Sequence, residues 1–130
     1  MKHKHLLFAS LLCVALLAGC SQRAELRQEV AVANALLPAD VALGVTANAI
    51  EISGDDLIFD VTLDDGYFSD IDFNDPQHIE YMLTLLGMSW SSGDDAFRNK
   101  VKRAGCDVVY RATLLNSGRQ FEWRVPNDRL

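Results

Sequence analysis

Residues 57–63 carry the clearest secondary-structure signal in the chain, and they constrain its fold most. Apolar residues at positions 57, 59, 61 and 63 alternate with Ile58, Asp60 and Thr62. Strict alternation places alternate side chains on opposite faces of a β-strand. A turn sequence at 53–56 precedes this strand, and residues 43–52 alternate in a similar way with a change of phase around Asn48. The two stretches predict a β-hairpin with a bulge or bend in its first strand.

A second hairpin is predicted at the C-terminal end. Residues 106–115 and 120–125 both place apolar side chains at alternate positions, and Asn-Ser-Gly-Arg at 116–119 joins them.

Three helices complete the secondary structure. An apolar stripe predicts a helix over residues 24–37 that ends at Pro38, and Asp75-Pro76 opens another over residues 76–90. A third helix runs from about Asp94 to the glycine at 105. The order α-β-β-α-α-β-β predicts an α+β fold. We expect a four-stranded, mainly antiparallel sheet made of two hairpins, with all three helices packed on one face.

The N-terminal segment is typical of a secretory signal. Lys2 and Lys4 precede an apolar run over residues 6–18, which is too short for a comfortable transmembrane helix. The run closes with Leu17-Ala18-Gly19-Cys20, which resembles the lipobox of bacterial lipoprotein precursors. The resemblance implies cleavage before Cys20, a diacylglyceryl group on its thiol and an acyl chain, such as palmitate, on the new amino terminus. An ordinary cysteine after a conventional signal peptide, or a short uncleaved anchor, is the alternative.

This interpretation divides the chain into a signal peptide at 1–19, a lipidated amino terminus and short tether at 20–23, and a single domain at 24–130. Several acyl chains hold a protein stably on a bilayer without a spanning helix. In similar lipoproteins of Gram-negative bacteria, aspartate after the cysteine favours the inner membrane. Ser21 stands there, so the outer membrane, facing the periplasm, is favoured.

Charge is unevenly distributed along the chain. Two of its 12 basic residues belong to the predicted signal peptide, so 10 remain against 18 acidic residues, a net charge of −8. This balance argues against nucleic acid as a partner. No lysine or arginine lies between Arg27 and Arg98, whereas 14 acidic residues do. Either the acidic and basic parts pair or solvate separate faces of one fold, or the acidic part faces a basic partner.

Candidates for catalysis are few. His78 is the sole histidine after the predicted signal peptide, and its place at a helix start favours a solvated side chain over a catalytic base. With Cys20 lipidated and Cys13 removed, Cys106 is the remaining free cysteine and is expected in the core. The sequence therefore predicts neither an enzyme nor a cofactor.

A weak calcium candidate lies in the acidic loop over residues 64–75. Asp70, Asp72 and Asn74 match positions 1, 3 and 5 of a calcium-binding loop. Asp75 then replaces the required glycine and Tyr81 the required glutamate, so the expectation is that no metal binds.

The layout resembles that of small α/β outer-membrane pilotin lipoproteins, which escort secretin subunits of secretion systems. The resemblance rests on the lipobox, on the helix that ends at Leu37-Pro38 and on strand pairs that flank a helical middle. It implies a non-catalytic adaptor that binds another envelope protein through an apolar groove. Some pilotins carry a domain disulfide, which one free cysteine cannot form.

The predicted groove lies between helix 76–90 and the sheet, with Tyr81, Leu85, Met88 and Trp90 as its lining. The alternative is that these four side chains belong to the core. The alternative function is a ligand-binding or inhibitory envelope lipoprotein that acts through its acidic loop.

Overall fold

The structure, a computed structural model, describes residues 21–91 and 95–130. The predicted signal peptide, the lipobox and Cys20 lie outside these residues. Within them, no helix is long and apolar enough to cross a membrane. In chain order the elements are α1 (21–34), β1 (Ala39–Ala42), β2 (Val45–Ser53), β3 (Asp56–Leu63), α2 (Pro76–Ser91), α3 (Ala96–Arg103), β4 (Asp107–Leu114), β5 (Gln120–Val125) and a 3₁₀ turn (Asn127–Arg129).

The α+β class is confirmed, but the prediction of four strands is wrong. The sheet has five strands in the order β1-β2-β3-β4-β5. The additional strand is β1, which pairs antiparallel with the start of β2. It spans four residues, so it is too short to show an alternation of its own.

The sheet is also mixed rather than simply built from two antiparallel hairpins. β3 and β4 pair in parallel from Asp56↔Asp107 to Leu63↔Leu114, while the other three pairings are antiparallel. The reason is the connection, because the chain passes through α2 and α3 and returns to the end of the sheet where β3 began. Such a crossover makes the two joined strands parallel. The predicted bulge around Asn48 is confirmed, since the β2–β3 register shifts between Ala47 and Ala49.

One face of the sheet meets all three helices. Its inward side chains share a buried cluster with α1, α2 and α3, whose central members are Leu26, Leu57, Phe59, Met82, Leu86, Val101 and Val108. Burying each such side chain stabilises the fold by about 1.5–3 kcal/mol. The opposite face is largely polar, with Asp60, Arg111 and Glu122 exposed. The core therefore lies between a single sheet and a single helical layer.

The helices end close to the predicted positions. Asp75 caps α2, since its Oδ1 accepts a hydrogen bond from the Gln77 amide at 2.9 Å. α1 ends at residue 34, three residues earlier than predicted, and a turn leads to a cis Leu37-Pro38 bond. Proline disfavours helical geometry at the residue that precedes it, which here is Leu37. This explains why the helix ends before Leu37.

Candidate binding groove

An apolar groove opens where the end of α1, the β1–β2 pair and α2 meet over the sheet. Its volume is about 280 Å³. One wall is formed by Leu36 and Leu37 after α1 together with Val41 of β1, and the opposite wall by Leu86 and Trp90 of α2. These walls are almost entirely apolar.

Three aromatic rings form the floor and one side of the groove. Phe59 of β3 stacks on Trp90, with ring centroids 5.2 Å apart, and contacts the Tyr110 ring at 5.6 Å. The Trp90 Nε1–H donates a hydrogen bond to the Tyr110 hydroxyl at 2.8 Å. Burial raises the pKa of Tyr110 to about 12, so its hydroxyl stays neutral at physiological pH. This hydrogen bond fixes the orientation of the large indole ring beside the cavity.

The groove lies beside the edge of the sheet where the pairing of β1 with β2 ends. β1 pairs with β2 only as far as Ala47, so the outer edge of β2 beyond that residue has no strand partner among the described residues. There the Asn34 amide replaces a strand. Its Nδ2 donates to the Ile50 carbonyl at 2.6 Å, and its Oδ1 accepts from the Ile50 amide at 2.8 Å. This reciprocal pair satisfies the backbone of β2 and holds the end of α1 at the sheet edge.

The chemistry of the groove is that of a binding site. Among the described residues that line it, Tyr110 is the sole titratable group, and its raised pKa keeps the hydroxyl protonated, so it is not available as a base. The Ser89 hydroxyl donates to the Leu86 carbonyl at 2.6 Å within α2. The groove therefore offers apolar surface to a guest, and its described lining lacks the paired nucleophile and base that catalysis needs.

The four predicted groove residues do not share one surface. Tyr81, Leu85 and Met88 follow helical spacing on one side of α2, whereas Trp90 is nine positions from Tyr81. At about 100° per residue, those two side chains point about 180° apart. Trp90 lines the apolar groove. Tyr81 is exposed, and Leu85 packs at the margin of the core.

Met88 lines a second pocket, of about 250 Å³, on another side of α2. This pocket is more polar, because Glu80, Arg98 and Arg129 also line it. Trp90 and Tyr110 contribute to both cavities, and the Trp90 side chain separates the apolar groove from the polar pocket.

Sequence reasoning missed the groove residues of α1 and β1. The relevant signal is the pair Leu36-Leu37, which continues the apolar character of α1 past its last helical turn and directly before a proline. Leu36 is 74% exposed although it is a large apolar residue. Such a leucine beside a cavity is typical of a surface that another molecule covers.

The proposed calcium ligands have other roles in the structure. The Asp72 Oδ1 accepts a hydrogen bond from the Asn74 amide at 3.0 Å. The Asp72 amide donates to His78 Nδ1 at 2.7 Å, which ties the acidic loop to the first turn of α2. Across residues 21–91 and 95–130, no group of three or more His, Cys, Asp or Glu side chains is placed to hold a metal ion.

Cys106 is fully buried in the core. Burial raises the pKa of its thiol, which keeps it protonated and unreactive.

Part of the acidic region pairs with the basic C-terminal part. The ion pairs join Arg111 to Glu51 at 3.3 Å and Arg124 to Asp56 at 2.6 Å. Two more such pairs, Lys100–Glu29 and Arg129–Glu80, connect α3 to α1 and the C-terminal turn to α2. None of the ion pairs described for residues 21–91 and 95–130 joins the acidic loop to this basic part.

Comparison with known proteins identifies the fold. No protein-family model matches the chain, and no curated protein matches its sequence. One similar solved structure is a Pseudomonas aeruginosa protein described as secreted, with 13% identity, 87% of this chain and 96% of that chain covered, and a TM-score of 0.62. Another is the pilotin of the Vibrio vulnificus type 2 secretion system, EpsS, with 13% identity, coverage of 86% and 94%, and a TM-score of 0.61. The chain therefore has a fold similar to that of a pilotin.

Proposed function

We propose that this chain is a lipid-anchored lipoprotein of the bacterial cell envelope that acts as a non-catalytic adaptor or assembly factor in the manner of a pilotin. Its apolar groove takes a short amphipathic helix from another envelope protein. The observation that carries the proposal is the groove itself, with two apolar walls and an aromatic floor.

The chemistry of the walls favours a helix over an extended segment. An extended peptide in this groove would bury backbone N–H and C=O groups against apolar side chains, where each unpaired group costs free energy. A helix satisfies these groups internally and presents a ridge of apolar side chains at i, i+3, i+4 and i+7. The cavity volume of about 280 Å³ suits a few such side chains better than a large ligand.

The anchor and the fold support a location at the membrane. The lipobox at Leu17-Ala18-Gly19-Cys20 supports lipidation of Cys20, and Ser21 supports the outer membrane facing the periplasm. The structural similarity to EpsS supports a secretin subunit of a secretion system as the class of partner, since pilotins escort such subunits.

The test is the binding of a secretin helix to residues 21–130, which contain every described element of the fold. The probe is a fluorescein-labelled synthetic peptide that carries the pilotin-binding helix of a secretin, and the readout is its fluorescence anisotropy. Ala39 of β1 lines the groove, so Ala39→Phe fills it and should weaken binding at least about tenfold. The matched control is Ala49→Phe, at an exposed alanine of β2.

Binding that Ala49→Phe leaves unchanged and Ala39→Phe removes supports the proposal. Equal binding by both variants, or equal binding of a scrambled peptide of the same composition, contradicts it.

A further inference from the structure

Three large apolar side chains are exposed together at one end of the sheet. Leu43 in the β1–β2 turn is 77% exposed, Tyr67 in the acidic loop 56% and Leu115 after β4 61%. We call these three residues the end patch. None of them belongs to the groove, so the patch is a separate surface.

The first two members of the patch are in one packed unit. The Asp64 amide donates a hydrogen bond to the Gly44 carbonyl at 2.9 Å, which joins the acidic loop to the β1–β2 turn. The Tyr67 ring covers Gly44 so closely that a Cβ there would lie 2.6 Å from Tyr67 Cδ1. Gly44 has φ +75°, a conformation that glycine adopts readily. The Tyr67 ring therefore lies against the residue that follows Leu43 in the β1–β2 turn.

The third member is tied to the same loop. The Leu115 amide donates to the Leu63 carbonyl at 2.8 Å, at the end of the neighbouring strand β3. The Asp65 carboxylate accepts hydrogen bonds from the Asn116 amide at 2.8 Å and the Ser117 amide at 3.1 Å. The acidic loop thus contacts both the β1–β2 turn and the β4–β5 turn. These three segments lie together at one end of the sheet.

Two carboxylates of the acidic loop, Asp64 and Asp65, lie beside the end patch, and they have no cationic partner among the described residues. Asp64 accepts from the backbone amides of Gly66 and Tyr67 at 3.0 and 3.2 Å, and Asp70, three residues after Tyr67 in the same loop, is exposed. Backbone amides orient a carboxylate but do not cancel its charge. Within the described part of the chain, Asp64, Asp65 and Asp70 form no ion pair.

One cation, Arg119, lies in the β4–β5 turn at this end. Its guanidinium carbon is 5.0 Å from the centroid of the Phe121 ring, over which it stacks. Asp64 and Asp65 differ in this respect from Glu51 and Asp56, which pair with Arg111 and Arg124, so they leave acidic charge beside the end patch.

We propose that the end patch and its rim of carboxylates form a second docking surface, for a protein segment that carries lysine or arginine beside an apolar ridge. Burial of Leu43, Tyr67 and Leu115 provides the apolar contact, and the rim provides orientation and faster association. A helix for the groove needs an apolar ridge alone, whereas this surface selects basic partners. The inference goes beyond the proposed function, because the two surfaces share no residue.

The experiment titrates residues 21–130 with a short amphipathic Lys/Leu peptide and follows backbone amide NMR shifts. The expected result is a set of shifts confined to residues 43–44, 64–70 and 115–117. A Glu/Leu peptide of equal length should produce none at these positions. Raising the salt from about 0.1 M to 1 M, which shortens the screening length from about 10 to 3 Å, should weaken the binding.

Variants separate the apolar from the charged contribution. Leu43→Ser with Tyr67→Ser should weaken binding at least about tenfold, and Asp70→Asn should weaken it while the remaining spectrum stays unchanged. Val32→Ser is the matched control, because Val32 is 66% exposed on α1, away from the patch. It should bind like the parent.

Three outcomes would overturn the inference. They are shifts at groove residues such as Val41 in place of the patch, equal binding of the Glu/Leu peptide, and self-association of the protein through Leu43 and Tyr67. The groove proposal is tested separately by Ala39→Phe, so either proposal can fail without the other.

Discussion

Asp65 joins two loops that are distant in sequence, the acidic loop after β3 and the turn between β4 and β5. Its two carboxylate oxygens accept hydrogen bonds from the amides of Asn116 and Ser117. These backbone amides hold the pKa of Asp65 below its ordinary value, because they bond better to the ionised form.

Asp65→Asn should therefore destabilise the protein in a way that depends on pH. A carboxylate with a lowered folded pKa contributes stability above its unfolded pKa, and the contribution disappears as pH falls through the folded pKa. The difference in urea unfolding midpoint between the parent protein and Asp65→Asn should be largest near pH 7. It should shrink below about pH 3.9, the unfolded value for aspartate.

The control for this prediction is Asp70→Asn, which removes an exposed carboxylate of the same loop. A gap between parent and Asp65→Asn that stays constant from pH 7 to pH 2 would contradict the role of the ionised carboxylate.

At the scale of elements, the position of α1 depends on one arginine. Arg23 Nε donates to the Ala104 carbonyl at the end of α3 at 3.0 Å, and Nη1 donates to the Gly54 carbonyl at 2.6 Å. Nη2 pairs with Asp55 at 2.6 Å. Residues 21–23 were expected to form a tether, but they are helical. The Arg23 side chain binds the end of α3 and the β2–β3 turn.

Arg23→Ala should lower the free energy of unfolding by about 2 kcal/mol, because it removes hydrogen bonds from a charged donor to two backbone carbonyls, of which that to Ala104 is partly buried. Arg27, one turn later on α1, is exposed. Arg27→Ala should change stability by less than about 0.5 kcal/mol. Chemical denaturation of both variants measures the difference, and equal losses would show that Arg23 contributes as an ordinary surface residue.

Most elements could be predicted from the sequence, because their signals are local. Alternation identified β2 through β5, the phase change identified the bulge at Asn48, and Asp75-Pro76 identified the start of α2. β1 has four residues and too little pattern. The parallel pairing of β3 with β4 depends on how two helices cross the sheet, which no local pattern encodes.

The groove was harder to predict for the same reason. Its lining comes from α1, four strands and α2, and Trp90 alone of the four predicted residues contributes to it. A helical stripe at i, i+4 and i+7 identified the exposed side of α2 at Tyr81. The cavity instead depends on how the end of α1, β1 and α2 pack over the sheet, which is a tertiary feature.

For the whole molecule, the decisive variant is Cys20→Ser in the full chain. If the lipobox functions, the parent should fractionate with membranes and Cys20→Ser should be released, since the acyl chains supply the anchoring. Cys13→Ser, within the predicted signal peptide, is the matched control and should leave fractionation unchanged. Membrane retention of Cys20→Ser with normal processing would contradict lipidation.

The contacts of Arg23 limit the distance between the predicted lipid anchor and the folded domain. Two residues separate Cys20 from Arg23, and consecutive Cα atoms are about 3.8 Å apart. The Cα atom of a lipidated Cys20 would therefore lie within about 11 Å of the Arg23 Cα atom, whose side chain is bonded to the domain. Ala33, where the groove begins, lies about 15 Å further along α1. If Cys20 is lipidated as proposed, a tether this short would keep the groove close to the bilayer. The expected partners are then proteins whose helices lie near the membrane surface.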